Sequence, residues 1–98
     1  MSLSVSSRVV ATSEHVSCEL DGEAVILSLD DAVYYGLNET GLAIWNLMQK
    51  PTFVWEIRDE IVRQFQIESD ICEKDLLNLL GQLKESSLLQ IVGPSEDC

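Results

Sequence analysis

The sequence predicts an α+β domain in which a three-stranded antiparallel sheet is followed by three helices. Three observations predict it. Residues 16 to 37 hold short apolar runs separated by polar turns. The segment Asp30 to Trp45, DDAVYYGLNETGLAIW, carries an aromatic strand straight into a capped apolar helix. From Leu42 onward, apolar residues recur at helical spacing. The chain has 98 residues, 46% of them hydrophobic, enough for one compact domain with a modest core. With 2 prolines, 5 glycines and no linker-like stretch or repeat, a second domain is not expected. Residues 1 to 15 are Ser-rich and weakly patterned, so they are expected as a flexible or irregular arm with one apolar cluster, Val9 to Ala11. The domain proper is expected over residues 16 to 92, with 93 to 98 a disordered tail.

Val16 to Leu20 reads as a first strand, Asp21-Gly22 as a hairpin turn and Ala24 to Leu29 as a second strand. The run AVIL is continuously apolar, which predicts a second strand covered on both faces and leaves the first and third as edges. Asp30-Asp31 supplies the next turn. Val33, Tyr35 and Leu37 then alternate with Ala32, Tyr34 and Gly36, the period of two of a pleated strand. Gly36 lacks a β-carbon, so another backbone can lie beside it, or the strand can bend there. Proline at Tyr35 would remove a backbone donor from this strand and is expected to damage pairing along it.

Asn38 stands where its side chain can accept a free amide at a helix start, and Glu39 puts negative charge at that positive end. Leu42, Ile44, Trp45, Leu47 and Met48 form the apolar face of the first helix, which Pro51 stops. The second helix carries Val54, Ile57, Ile61, Val62 and Phe65, with Thr52 as its expected cap and Arg58 and Arg63 toward water. The third opens on Asp70 and Glu73 in a capping-box relationship and lines one face with Leu76, Leu79, Leu80 and Leu83, widened by Leu77. Gly81 weakens that helix by roughly 1 kcal/mol and leaves room for close approach. Leu88 to Val92 is expected as a short final strand.

Three short helices after a small sheet make a winged helix-turn-helix-like arrangement, often a DNA-binding one. Charge argues against that use. The net charge is -11, whereas nucleic-acid affinity comes from Lys and Arg on phosphates. The third helix sets Lys74 and Lys84 against Glu73, Asp75 and Glu85. Without a basic track, Trp45 and Trp55 read as core or rim residues, not base-stacking ones. An acidic surface instead suits basic or neutral polypeptides. Catalysis finds no support either. His15, the single histidine, lies at the end of the arm; no phosphate-binding glycine loop occurs; and the carboxylates fall at cap and surface spacings. Cys18, Cys72 and Cys98 are too far apart for a metal knuckle and are expected as reduced thiols, Cys18 buried in a strand and Cys98 terminal. No cofactor or metal is expected. The longest apolar runs fall far short of a membrane span and the N-terminus lacks a signal-like core, so a cytoplasmic protein with no membrane partner is expected.

The run LDGEAVILSLDDAVYYGLNETGLAIWNLM, the isoleucine-rich second helix and CEKDLLNLLGQLKESSLLQIV together resemble the PqqD family of peptide-recognition proteins in the biosynthesis of ribosomally made, modified peptides. The resemblance covers nearly all of the chain after the arm. It rests on order and spacing: a strand ending in LN, a helix bearing IW, and a last helix with an acid ahead of leucines. It implies a non-catalytic adaptor that binds the leader segment of a precursor peptide as a strand added beside the third strand, and delivers it to a leader peptidase or another modifying enzyme. Carried onto this sequence, the strand is Val33, Tyr34, Tyr35, Gly36 and Leu37, and the groove wall is Asp75, Leu76, Leu79, Leu80 and Leu83. Core and groove cannot use the same side chains, so some of these leucines are structural. YYGLNETG before an IW helix is most similar to the stand-alone recognition proteins of lasso peptide clusters, whose leaders offer a tyrosine and a proline. The other branch resembles the partner of the radical enzyme in pyrroloquinoline quinone biosynthesis. Two departures from the pattern are Gly81 within the third helix and the absence of a glycine before the closing leucines.

Overall fold

Two small antiparallel sheets and three helices enclose one core. The computed structural model describes residues 3 to 13 and 15 to 92. In chain order the elements are β1 (Arg8–Ala11), β2 (His15–Leu20), β3 (Glu23–Ser28), β4 (Tyr34–Leu37), α1 (Glu39–Leu47), β5 (Thr52–Phe53), α2 (Val54–Phe65), α3 (Ser69–Glu85) and β6 (Leu89–Ile91). The meander β2-β3-β4 followed by three helices is the expected winged-helix-like α+β arrangement. The expected tail, and Cys98 with it, lies outside the described residues.

The meander is set by its two turns. Asp21 and Gly22 have φ of 52° and 81°, the paired left-handed geometry of a two-residue hairpin loop, and they put Leu20 opposite Glu23. The second loop, residues 29 to 33, holds Ala32 in the left-handed region at φ 59°. There the Ala32 N–H donates to the Ser28 carbonyl and the Ser28 N–H to the Val33 carbonyl, both at 2.9 Å. The strand expected from Val33 accordingly begins at Tyr34. β3 is central, with β2 and β4 as edges, but it is not covered on both faces. Ala24, Ile26 and Ser28 are buried while Val25 is 45% exposed, because all three helices lie on one side of this sheet.

The arm without regular structure is also corrected. Arg8–Ala11 is the middle strand of a second sheet, ordered β5-β1-β6, with Val9 opposite both Thr52 and Ile91. Val9 is fully buried, so burying this one side chain among distant partners ties the N-terminal segment down. His15 is likewise the first residue of β2. Its ring meets Trp45 edge to face, with centroids 5.0 Å apart, and its Nδ1 lies 3.0 Å from the Thr12 carbonyl.

Asn38 caps α1 as the sequence indicates, its Oδ1 accepting the Gly41 N–H at 2.9 Å. Asn38→Ala is expected to cost about 1 kcal/mol, read as a lowered urea midpoint with unchanged slope. The other two caps differ from expectation. Thr52 pairs in β5 and its hydroxyl donates to the Leu47 carbonyl at 2.9 Å, so α2 starts after Phe53, whose N–H donates to the Glu56 carboxylate. α3 starts two residues earlier than a box at Asp70 would allow: the Cys72 N–H already reaches the Glu68 carbonyl at 2.9 Å. Asp70 then sits within the first turn, where its charge suits the helix dipole. α3 runs unbroken through Gly81, and a β-carbon there would meet nothing within 4 Å, so no close approach is made. Arg58, expected in water, bridges α2 to α3 by pairing with Glu73 at 3.0 Å. The core gathers Ile26 and Leu37 from the meander, Trp45 and Met48 from α1, Ile57 and Ile61 from α2, Leu76, Leu80 and Leu83 from α3, and Val9 and Leu89 from the second sheet.

Candidate peptide-binding edge and groove

β4 pairs with β3 on one side and with no described strand on the other. The phase of the β3-β4 ladder decides which of its backbone groups are free. The Ser28 N–H is bonded to the Val33 carbonyl, so the hydrogen-bonded pairs of an antiparallel ladder recur two residues on, at Ile26 with Tyr35 and Ala24 with Leu37. The two-residue loop after Leu20 gives the same phase, because it turns the amides of Glu23, Val25 and Leu27 toward β2. The N–H and C=O groups of Tyr34 and Gly36 therefore point away from the sheet, as a short unfilled edge.

Side chains alternate the other way. Tyr35 and Leu37 point inward with Ile26 and Ala24, while Tyr34 and Gly36 point outward with Leu27 and Val25. Tyr34 is 69% exposed and Leu37 is buried. Tyr35 is half-buried, and its hydroxyl donates to the Gln82 carbonyl at 3.1 Å and lies 2.6 Å from Ser86 Oγ. Ser86 in turn accepts the Ser28 hydroxyl on its carbonyl at 2.7 Å, so the end of α3 is pinned to both β3 and β4. Tyr35 thereby closes the space between β4 and α3 at the Tyr34 end of the strand.

At the Leu37 end that space opens into a pocket of about 320 Å³, lined chiefly by Asn38, Ile44, Ile61, Ile67, Leu76 and Leu79, with Asp75 and Cys72 also on it. Burial, with the Asp75 carboxylate nearby, pushes the Cys72 thiol up, so it remains protonated. The pocket is thus apolar, with one carboxylate. Asp75 is exposed and Leu79 half-buried, whereas Leu80 and Leu83 are fully buried and face the core. Leu76, 1% exposed, forms the pocket floor. Val33 is partly exposed but lies in the loop, its carbonyl already bonded to β3.

The expected site residues thus separate into an open edge (Tyr34, Gly36), an inward pair (Tyr35, Leu37), a pocket (Asp75, Leu76, Leu79) and two core leucines. Sequence reading missed the contributions of Asn38, Ile44, Ile61 and Ile67, which come from three different segments. It also missed Gln82 and Ser86, which follow Asp75 and Leu79 at helical spacing on one face of α3. Cys18, expected to be buried, is exposed on the outer side of the meander. Among the described residues no group of three or more His, Cys, Asp or Glu is placed to hold a metal ion, and no helix is long and apolar enough to cross a membrane.

The family model for coenzyme PQQ synthesis protein D (PqqD) matches residues 23 to 89, from β3 into β6. Among solved structures, TbiB1 in complex with the TbiA(beta) leader peptide superposes with a TM-score of 0.73 at 31% sequence identity, covering 83% of this chain and 94% of that one. No curated protein matches the sequence.

Proposed function

The chain belongs to the PqqD family, and on that premise we propose that it is a non-catalytic adaptor that binds the leader segment of a ribosomally made precursor peptide. The leader adds as a strand to the open edge of β4 and is presented to a leader peptidase or another modifying enzyme of the same pathway. The observation that carries this reading is the unfilled edge at Tyr34 and Gly36 beside an apolar pocket. Backbone bonds to such an edge supply affinity without regard to sequence, and a side-chain pocket supplies register and selectivity. The pocket's apolar lining with Asp75 on it suits an aromatic residue whose hydroxyl donates to that carboxylate. The similar protein TbiB1 was solved with a leader peptide, which supports the same mode here.

The pathway we favour is lasso peptide biosynthesis, on the strength of YYGLNETG leading into the IW helix. The matched family's description favours a second reading, a partner of the radical enzyme in pyrroloquinoline quinone-like biosynthesis. In either case the work takes place in the cytoplasm, where precursor and enzymes are made. An amide-shift titration with the leader of the precursor encoded nearby tests the reading. Shifts are expected at residues 34 to 38 and at Asp75 and Leu79. Shifts confined to α2 and the second sheet would overturn it.

A further inference from the structure

A strand added to β4 meets two different surroundings on its inner side. Its hydrogen-bonded partners are Tyr34 and Gly36, so the two added residues that turn inward lie opposite Tyr35 and Leu37, in non-hydrogen-bonded pairs where side chains approach most closely. Toward Leu37 the apolar pocket is open. Opposite Tyr35 the space is already taken by the tyrosine ring. On the outer side no such obstacle exists, since a β-carbon placed on Gly36 would meet nothing within 4 Å.

The Tyr35 ring is fixed by its hydroxyl. That hydroxyl donates to the Gln82 carbonyl at 3.1 Å and, with its one proton so used, accepts from the Ser86 hydroxyl at 2.6 Å. Gln82 belongs to the last turn of α3, where carbonyls run out of helical partners, and the Ser86 N–H bonds to Leu83 instead. Ser86 is buried, its carbonyl accepts the buried Ser28 hydroxyl at 2.7 Å, and the next residue, Ser87, donates to Asp30 at 2.9 Å. Swinging the ring aside would strand the Gln82 carbonyl and the Ser86 hydroxyl together. The helix end that they belong to is held to the meander by the same set of bonds.

We propose that Tyr35 is a specificity-determining residue of the leader site: a fixed stop that admits only a small side chain, Gly, Ala or Ser, at the leader position opposite it. A leader running antiparallel to β4, as neighbouring strands of the meander do, reaches Leu37 before Tyr35. The leaders selected by this chain therefore carry a large residue for the pocket and a small one two positions later, with the residue between them free in size. This inference rests on the leader-binding reading above.

The test titrates the full chain with a labelled synthetic leader, taken from the precursor encoded nearby, and with its variants. An alanine scan of the peptide first locates the pocket residue as the position of greatest loss. Trp two positions after it is expected to weaken binding by at least about tenfold, the order of an overpacked contact, and Trp at the intervening position by less than about threefold. In Tyr35→Ala the ratio of affinities between the parent leader and the first Trp leader is expected to fall below about threefold. Tyr35→Phe keeps the ring but frees it from Gln82 and Ser86, and is expected to lower that ratio by at least about threefold. A wild-type chain that accepts Trp at both positions, a penalty at the intervening position, or a ratio unchanged in both folded variants overturns the proposal. Should Tyr35→Ala fail to fold, the ratio in Tyr35→Phe decides. If the parent leader fails to bind even the wild type, the adaptor reading falls instead.

Discussion

Replacing Gly36 by proline is expected to weaken leader binding by about 10- to 100-fold while the protein stays folded. The Gly36 N–H points out of the sheet, so proline removes a donor that the meander itself does not use, and its ring occupies the path of the added strand. A leader carbonyl is then left without its partner. Fluorescence anisotropy with a labelled leader reads the affinity, and a thermal melt reads the fold. Unchanged affinity in a folded Gly36→Pro protein would remove the β4 edge from the mechanism. Tyr35→Pro is the informative contrast. Its N–H is bonded into β3, so proline there is expected to damage the meander by about 3 kcal/mol, the order found when proline breaks a regular element. The sequence alone marks Tyr35 as the site for such a test, and the ladder phase moves it to Gly36.

Leu80→Ala is expected to cost about 3 kcal/mol of stability, because Leu80 is fully buried in the core and the cavity cannot collapse around a helix held by both its neighbours. That is a large share of the roughly 5–15 kcal/mol available to a domain. Leu79→Ala, one position earlier, is expected to cost about 1 kcal/mol or less but to weaken leader binding, since Leu79 is half-buried and lines the pocket. Urea unfolding of both variants beside leader titration separates the two effects. Equal stability losses, or a leader defect confined to folded Leu80→Ala, would show that the pocket has been assigned to the wrong face of α3.

Much of the fold is legible in the chain itself. Alternation through Val33 to Leu37, the Asp21-Gly22 pair and the Asn38 cap are local devices, each acting through neighbours a few residues away. The helical stripes of α1, α2 and α3 are legible for the same reason. The second sheet is not. Its strands of four, two and three residues are too short to show a period, and they come from the start, the middle and the end of the chain. The run AVIL likewise reads as doubly buried, because an apolar residue looks the same in sequence whether it faces a core or an unfilled surface.

The candidate site divides along the same line. That this chain carries an aromatic edge strand, a leucine-lined helix and a strongly acidic composition was determined by sequence alone, since composition and spacing contain it. Which backbone groups of that strand are free, which leucine lines the pocket and which fills the core, and that Tyr35 reaches Gln82 and Ser86, only the tertiary structure decided. Those outcomes depend on ladder phase and on contacts between different segments of the chain, and local periodicity carries no information about either.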